Sequence, residues 1–253
     1  MQTITFIGNG NMGLSIAQGL KHKYHIEVVG RDMQKLTIFE KKLGLNIQKS
    51  LLKDFNVDNK TLLLCVKPNN VTEVSTQLKG KASLLISVLA GTSIATLQDA
   101  FKADKTIRSM PNLAASVMAS MTTLTGDMEA KEEAIAILNS IGETRWLNSE
   151  KEIDIATALA GSGPAYLALI AEALSDGAVK QGLKREDALA SMRGLFLGFG
   201  KLIQEVHPAL LKDHVMSPGG TTAAGYSALE EGNVRASCIQ AIEMAYHKAK
   251  ELS

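Results

Sequence analysis

The chain has 253 residues, of which 45% are hydrophobic and 21% charged, a length that suits one large or two modest domains. Its 27 Lys and Arg nearly balance 26 Asp and Glu, and this formal net charge of +1 argues against a nucleic-acid partner. Two cysteines, Cys65 and Cys238, are too few for a disulfide framework, and each is expected to be a buried, reduced thiol.

The sequence gives no indication of a membrane-spanning segment or an export signal. The apolar runs near 62–66 and 84–90 are far shorter than the roughly 20 residues that span a bilayer. The N-terminus leads directly into a strand-like segment and shows no basic region of a signal peptide. We therefore expect a soluble, cytoplasmic protein with no membrane partner.

The first 149 residues alternate short apolar runs with helical periodicity. Continuous apolar runs are typical of parallel strands that helices cover on both faces. The pattern therefore predicts an α/β domain with a doubly wound parallel sheet over residues 1–149. The expected strands are 3–8, 26–30, 61–66, 84–90 and 144–147, with more strand within 107–124, and the expected helices are 12–20, 33–43 and 130–141.

Residues 150–253 show only helical periodicity. The expected helices are 153–182, 184–206, 209–215 and 233–252. The first of these contains Pro164 and eight alanines, which reflect either high helix propensity or close packing against a second copy of the chain. Because this half is so apolar, we expect an all-α domain that mediates dimerisation.

A glycine-rich segment, Gly8-Asn9-Gly10-Asn11-Met12-Gly13, follows the first predicted strand and opens the first predicted helix. In this G-x-G-x-x-G pattern the first glycine permits the turn, the second lets the backbone approach a pyrophosphate, and the third lets the helix pack on the strand. The amides around Asn11 and Met12 would then face the phosphates. The context predicts dinucleotide binding, and the alternative is a glycine-rich turn without a ligand.

The residues after the second strand bear on the choice of dinucleotide. A cation at this strand tip favours a 2′-phosphate, whereas a carboxylate favours a ribose hydroxyl. Arg31 comes first, with Lys35 one turn later, but Asp32 supports the opposite choice, and all of these charges could simply be solvated. We expect NADPH as the cofactor, with NADH as an alternative.

Two further segments have a less specific pattern. Val66-Lys67-Pro68 ends an apolar strand at the same sheet edge, where Lys67 lies near the nicotinamide ribose or is an ordinary surface lysine. Ser217-Pro218-Gly219-Gly220-Thr221-Thr222 joins two helices, and its glycines leave backbone amides unobstructed for a carboxylate. The alternative for this second segment is an ordinary turn in which Thr221 or Thr222 caps the following helix.

Five segments, in the same order along the chain, resemble the pyrroline-5-carboxylate reductase family. The resemblance covers essentially the whole chain and implies an N-terminal Rossmann domain followed by a helical dimerisation domain. It further implies a homodimer, which some members assemble into larger rings, and an NAD(P)H-dependent reduction of 1-pyrroline-5-carboxylate to L-proline. The five segments are Gly8–Gly13, Val66–Pro68, Arg108–Asn112, Gly161–Tyr166 and Ser217–Thr222.

The resemblance also implies a set of site residues. A family glutamate falls on Glu205, and a polar ribose contact expected near Leu52 has no match. The chain departs from the family pattern at Asn69, His214 and Met216. The implied substrate contacts are Glu150, Ser217, Gly219, Gly220, Thr221 and Thr222, and the implied cofactor contacts are Gly8, Gly10, Asn11, Met12, Gly13, Arg31, Val66, Lys67, Pro68 and Ala90.

The chemistry of a cyclic imine agrees with such a site. A protonated C=N bond accepts hydride at carbon without a strong acid, so the enzyme mainly orients its two reactants. Thr222 and Glu205 are the catalytic candidates, and no Cys/His cluster has metal-ligand spacing, so no metal is expected. There are two alternatives. A reductase of 2-hydroxy or keto acids would need a Lys or His as proton donor. A dinucleotide-sensing regulator would need the glycine loop but no substrate loop.

Overall fold

The computed structural model describes residues 1–252, in which strands and helices alternate before a run of helices. The strands are β1 (Thr3–Ile7), β2 (His25–Gly30), β3 (Gln48–Leu51), β4 (Phe55–Asn56), β5 (Thr61–Leu64), β6 (Leu78–Lys79), β7 (Leu84–Ser87), β8 (Thr106–Met110), β9 (Ser120–Gly126) and β10 (Gly142–Trp146). The helices are α1 (Asn11–Leu20), α2 (Met33–Leu43), α3 (Val71–Ser75), α4 (Ile94–Ala100), α5 (Lys131–Leu138), α6 (Glu150–Ala156), α7 (Gly163–Lys180), α8 (Arg185–Glu205), α9 (Pro208–Val215), α10 (Thr221–Glu231) and α11 (Val234–Leu252).

Eight strands form one sheet in the order β10-β9-β8-β7-β5-β1-β2-β3. All neighbours are parallel except β8 and β9, which pair antiparallel, and β4 and β6 form a separate parallel pair. β1 lies between β2 and β5, so the strand order reverses beside β1. In such sheets a crevice opens at the carboxyl ends of the strands where the order reverses. The predicted Rossmann-type α/β fold is confirmed.

The sheet is buried on both faces, which explains the continuous apolar runs. Ile4 and Phe6 of β1 belong to one apolar cluster, and Ile7 belongs to a second cluster. All three side chains are at most 1% exposed. Since successive residues of a strand point to opposite faces, burial of both sets requires helices on both sides of the sheet.

The predicted helix 33–43 is confirmed as α2, and its ends have local causes. Asp32 caps the helix through its carboxylate, which accepts hydrogen bonds from the amides of Gln34 and Lys35 at 2.9 and 3.3 Å. Gly44 ends it in the left-handed conformation at φ 69°, and its amide donates to the carbonyl of Glu40.

The structure corrects several expected boundaries. The predicted helix 153–182 is interrupted, because Thr157–Gly161 form a π-helical turn between α6 and α7. Pro164, at the second position of α7, has no amide hydrogen to continue a helical ladder from the preceding turn. The strands expected at 61–66 and 84–90 end at Leu64 and Ser87, and the region 107–124 contains the antiparallel β8 and β9. Sequence reasoning did not assign β3, β4, β6, α3 or α4.

The described chain forms two compact units, Met1–Pro164 with the residues from Met244 onward, and Ala165–Glu243. The expected boundary between residues 149 and 150 stays a prediction. In the second unit, among the residues that the structure describes, only Ser175 and Ala188 are buried. Its large apolar side chains are instead exposed or half-buried, with Leu197 at 67% and Ile239 at 65% exposed. This unit has almost no core of its own.

By length and composition alone, the helical stretch Glu150–Lys180 could cross a membrane. The sequence did not predict such a stretch, because its continuous apolar runs near 62–66 and 84–90 are much shorter. Its most apolar 18-residue window has a mean hydropathy of 1.4, and few residues of that window are buried. This exposed apolar surface requires a covering partner of some kind.

Candidate active site

The glycine-rich turn between β1 and α1 is built by close backbone contacts. Gly8 has a φ of 108°, and a Cβ there would lie 2.8 Å from the carbonyl oxygen of Cys65. A Cβ on Gly13 would lie 3.3 Å from the Cβ of Cys65, whereas a Cβ on Gly10 would come no closer than 4.0 Å to its nearest neighbour, the carbonyl oxygen of Cys65. The first and third glycines therefore allow α1 to approach β5, and the second leaves the backbone accessible.

The N-terminus of α1 offers free donors. Gly10 is the N-cap in an extended conformation, and no side chain of the described residues caps this helix. The first amides of a helix lack intrahelical partners and carry the positive end of the helix dipole. Asn11, Met12 and Gly13 form this first turn, so their placement agrees with phosphate binding.

A cavity of about 390 Å³ opens beside this turn, at the carboxyl ends of β1, β2 and β5. Five of the predicted cofactor residues line it, namely Gly8, Gly10, Arg31, Val66 and Lys67. Asn11 lines a smaller neighbouring cavity together with Gly10 and Lys35. Met12, Gly13, Pro68 and Ala90 are not among the lining residues. The cavity combines the glycine turn with the cations Arg31 and Lys67, which are features that suit a dinucleotide.

Sequence reasoning missed two polar residues of this cavity, Asn9 and Asn70. Asn9 is the first of the three variable positions of the glycine motif, and Asn70 ends the short 3₁₀ turn Pro68–Asn70. Leu52 also lines the cavity, where a polar side chain was expected. The tandem Asn69-Asn70 after Pro68 was the available signal, because a turn at the carboxyl end of a strand faces the crevice.

Cys65 lines the cavity and is partly rather than fully buried, and burial of its thiol raises the pKa of that thiol above the ordinary range. A thiol held protonated is a weak nucleophile, so Cys65 is a packing residue. Cys238 departs from the expectation, because it is exposed on α11 rather than buried. The apolar stretch around Cys238 is part of the exposed apolar surface of the helical half.

Arg31 and Asp32 have different partners at the tip of β2. Nη1 of Arg31 lies 2.9 Å from both carboxylate oxygens of Glu73 in α3. The carboxylate of Asp32 is engaged as the cap of α2, so it is less available to a ribose hydroxyl than its sequence position suggests. Arg31 is therefore the more available recognition element at this tip, because its side chain is 54% exposed even though Nη1 is paired with Glu73.

Glu150 is held by two donors within the first unit. Its Oε1 accepts from the amide of Ile94 at 2.8 Å and from Nη1 of Arg108 at 3.1 Å. Arg108, on β8, also donates to Asp154 of α6 at 2.5 Å. Ile94 is the first residue of α4, so Glu150 joins the starts of α4 and α6. The structure thereby gives Glu150 a defined orientation.

The predicted substrate turn lies in the second unit, between α9 and α10. Gly219 has a φ of 72°, and the amide of Gly220 donates to the carbonyl of Ser217 at 3.0 Å. Thr221 and Thr222 are exposed and form the first two positions of α10. The alternative in which Thr221 or Thr222 caps this helix is wrong, since Gly220 occupies the N-cap and no side chain of the described part of the chain caps α10.

A polar network joins the two helices that flank this turn. Nζ of Lys212 in α9 lies 5.3 Å from the ring centroid of Tyr226 in α10. The Tyr226 hydroxyl contacts Glu230 and accepts from Nη2 of Arg235 at 2.5 Å. The hydrogen bonds from Arg235 and Tyr226 lower the pKa of Glu230. Of these contacts, the one between Lys212 and Tyr226 joins the two helices that flank the turn, and those of Arg235 link α10 to the start of α11.

Glu205 is exposed at the last position of α8 in the second unit. It is followed by His207, whose Nδ1 accepts a hydrogen bond from the amide of Ala209 at 3.3 Å and caps α9. The site residues expected from the sequence are thus divided between the two units. The first unit contains the residues at the cavity and Glu150, and the second contains the Ser217–Thr222 turn and Glu205.

The fold and the glycine cavity define a dinucleotide-binding oxidoreductase. Two family models match the chain: "NADP oxidoreductase coenzyme F420-dependent" over residues 3–91 and "Pyrroline-5-carboxylate reductase dimerisation" over residues 150–252. A pyrroline-5-carboxylate reductase of Arabidopsis thaliana is 37% identical, over 99% of this chain and 95% of its own length.

Solved structures extend the similarity over the whole fold. A pyrroline-5-carboxylate reductase from Coxiella burnetii has a TM-score of 0.84 at 34% identity, over 99% of this chain and 98% of that chain. The Plasmodium falciparum enzyme with NADP bound has a TM-score of 0.80 at 25% identity, over 99% and 98% of the two chains. The chain belongs to the pyrroline-5-carboxylate reductase family.

Proposed function

We propose that this chain reduces 1-pyrroline-5-carboxylate to L-proline, with NADPH preferred to NADH. The observation that carries the proposal is the cavity at the reversal of strand order, with its glycine turn, in a chain related from end to end to reductases of this name. The reduced nicotinamide, when bound, supplies the hydride for the C=N carbon. The protein binds and orients, and the proposal requires no metal.

The cofactor residues divide by the part of the dinucleotide that each would hold. The turn Gly8–Gly13 and the uncapped amides of α1 suit the pyrophosphate. Arg31, with Lys35 in the neighbouring cavity, suits the 2′-phosphate. Val66-Lys67-Pro68 and Ala90 follow β5 and β7, the next strands across the sheet, and we assign them to the nicotinamide half.

The substrate residues are assigned by charge and donor geometry. The amides around Gly219–Thr222 open an eleven-residue helix without a side-chain cap among the described residues, which suits a carboxylate. The Thr222 hydroxyl accepts a hydrogen bond from the protonated ring nitrogen. Ser217, Thr221, Glu150 and Glu205 complete the proposed substrate and catalytic set.

The exposed apolar surface supports a homodimer as the working form. A unit with only two buried residues needs a partner to remove its leucines, isoleucines and phenylalanines from water. We propose that a second copy covers this surface, including the apolar stretch Glu150–Lys180, and that the enzyme is soluble and cytoplasmic. Further assembly of dimers into a ring remains part of the proposal.

The test is NADPH oxidation followed at 340 nm. We expect oxidation with 1-pyrroline-5-carboxylate, and none with hydroxypyruvate or ketopantoate, and we expect the rate to survive treatment with EDTA. Cofactor binding without oxidation of any substrate would instead support a dinucleotide-sensing regulator. Oxidation with a keto acid alone would support the other class of reductase.

A further inference from the structure

Arg31, the cation assigned to the 2′-phosphate, already has an anionic partner. Its Nη1 lies 2.9 Å from both Oε1 and Oε2 of Glu73. Glu73 lies in α3, between Asn70 and Val74, which line the same cavity as Arg31. The two side chains are 54% and 51% exposed, so the pair can open without removing a charge from a buried site.

We propose that Glu73 is a specificity-determining residue that competes with the 2′-phosphate of NADPH for Arg31. A guanidinium uses the same kind of donor for a carboxylate and for a phosphate, so the 2′-phosphate competes with Glu73 for the N–H groups of Nη1. NADH has a hydroxyl at this position and leaves the pair intact. Glu73 therefore weakens NADPH binding selectively and narrows the discrimination between the two cofactors.

The other carboxylate at this strand tip does not play the same part. Asp32 accepts hydrogen bonds from the amides of Gln34 and Lys35 and belongs to the cap of α2. Within the part of the chain that the structure describes, Glu73 is the acidic residue that contacts the Arg31 guanidinium. The inference rests on the proposed cofactor site and adds to it a residue from a distant segment.

The experiment measures dissociation constants for NADPH and NADH by isothermal titration calorimetry. Glu73→Gln keeps the shape of the side chain and removes its charge. We expect the Kd for NADPH to fall about two- to five-fold, the range of one exposed ion pair, and the Kd for NADH to stay unchanged. Glu129→Gln is the matched control, because Glu129 is exposed and does not line the cavity, and it should change neither constant.

The variants Arg31→Ala and Arg31→Ala/Glu73→Gln separate the possible failures. In the Arg31→Ala background the effect of Glu73→Gln must vanish, and a persistent effect would overturn the competition. If Arg31→Ala weakens NADPH selectively while Glu73→Gln alone changes nothing, or changes both cofactors equally, only the role of Glu73 fails. If Arg31→Ala weakens both cofactors equally, the proposed 2′-phosphate site fails, and the role of Glu73 fails with it.

Discussion

Arg108 and Asp154 form an ion pair that is withdrawn from solvent. Nη2 of Arg108 lies 2.5 Å from Oδ1 of Asp154, and the two side chains are 3% and 12% exposed. Nε of Arg108 is buried without a hydrogen-bond partner among the described residues. Since Arg108 and Asp154 are 46 positions apart, this pair is a tertiary link between the sheet and the first helix of the C-terminal half.

Arg108→Met should destabilise the protein by about 3–5 kcal/mol, because it leaves the buried carboxylate of Asp154 without its counter-charge. Urea unfolding followed by circular dichroism measures the change. Lys79→Met removes one partner of an exposed pair with Asp54 and should lower the free energy of unfolding much less, because solvent screens that pair. Equal effects of the two substitutions would show that burial of the Arg108 pair has no energetic consequence.

Gly8→Ala should lower both stability and affinity for NADPH. The new Cβ would lie 2.8 Å from the carbonyl oxygen of Cys65, and the alanine would have to adopt a φ of 108°. Gly182 is a matched control, since it has a φ of 104° with no atom within 4 Å of the corresponding position. We expect Gly8→Ala to cost about 1–3 kcal/mol more than Gly182→Ala, the usual range for overpacking. Equal costs for the two variants would contradict the close approach at the glycine turn.

Thr222→Ala should lower kcat/KM for 1-pyrroline-5-carboxylate about 10- to 1000-fold, by analogy with the loss of one oriented hydrogen bond to the reacting group. Thr222→Ser keeps the hydroxyl and should retain much more activity. The Kd for NADPH should stay nearly constant in both variants, and an unchanged Kd would show that the variants are folded. A Thr222→Ala enzyme with the original kcat/KM would remove Thr222 from the catalytic set.

Phe199→Glu should shift the protein from a dimer or larger species toward monomer. Leu195, Phe199 and Leu202 occupy one face of α8 and are 58%, 44% and 49% exposed. Fully burying a phenylalanine contributes about 1.5–3 kcal/mol, and a buried unpaired carboxylate adds a further cost. Light scattering at micromolar concentration measures the mass. Met128→Glu, at a residue 64% exposed in the first unit, should leave the mass unchanged.

Local patterns predicted a large part of the fold. The sequence identifies β1, β2, β5 and β7, because a strand that is buried on both faces is a continuous apolar run. It also identifies helix α2, whose capping residues adjoin its ends. The glycine motif located the cavity for the same reason, since a positive φ and a close backbone approach restrict the residue type at Gly8. These features are encoded within a few residues of where they act.

Other features depend on which distant segments meet. The pairing of Arg31 with Glu73 joins residues 42 positions apart, and the burial of Arg108 requires Glu150 and Asp154 from the other half of the chain. The break at Thr157–Gly161 and the antiparallel pairing of β8 with β9 were likewise invisible in the periodicity. The sequence by itself determined the alternation of strands and helices and the position of the glycine turn. The partners of the charged residues were decided only by the tertiary structure. The reason is that a charged residue in the sequence carries no information about which opposite charge the folded chain brings within reach.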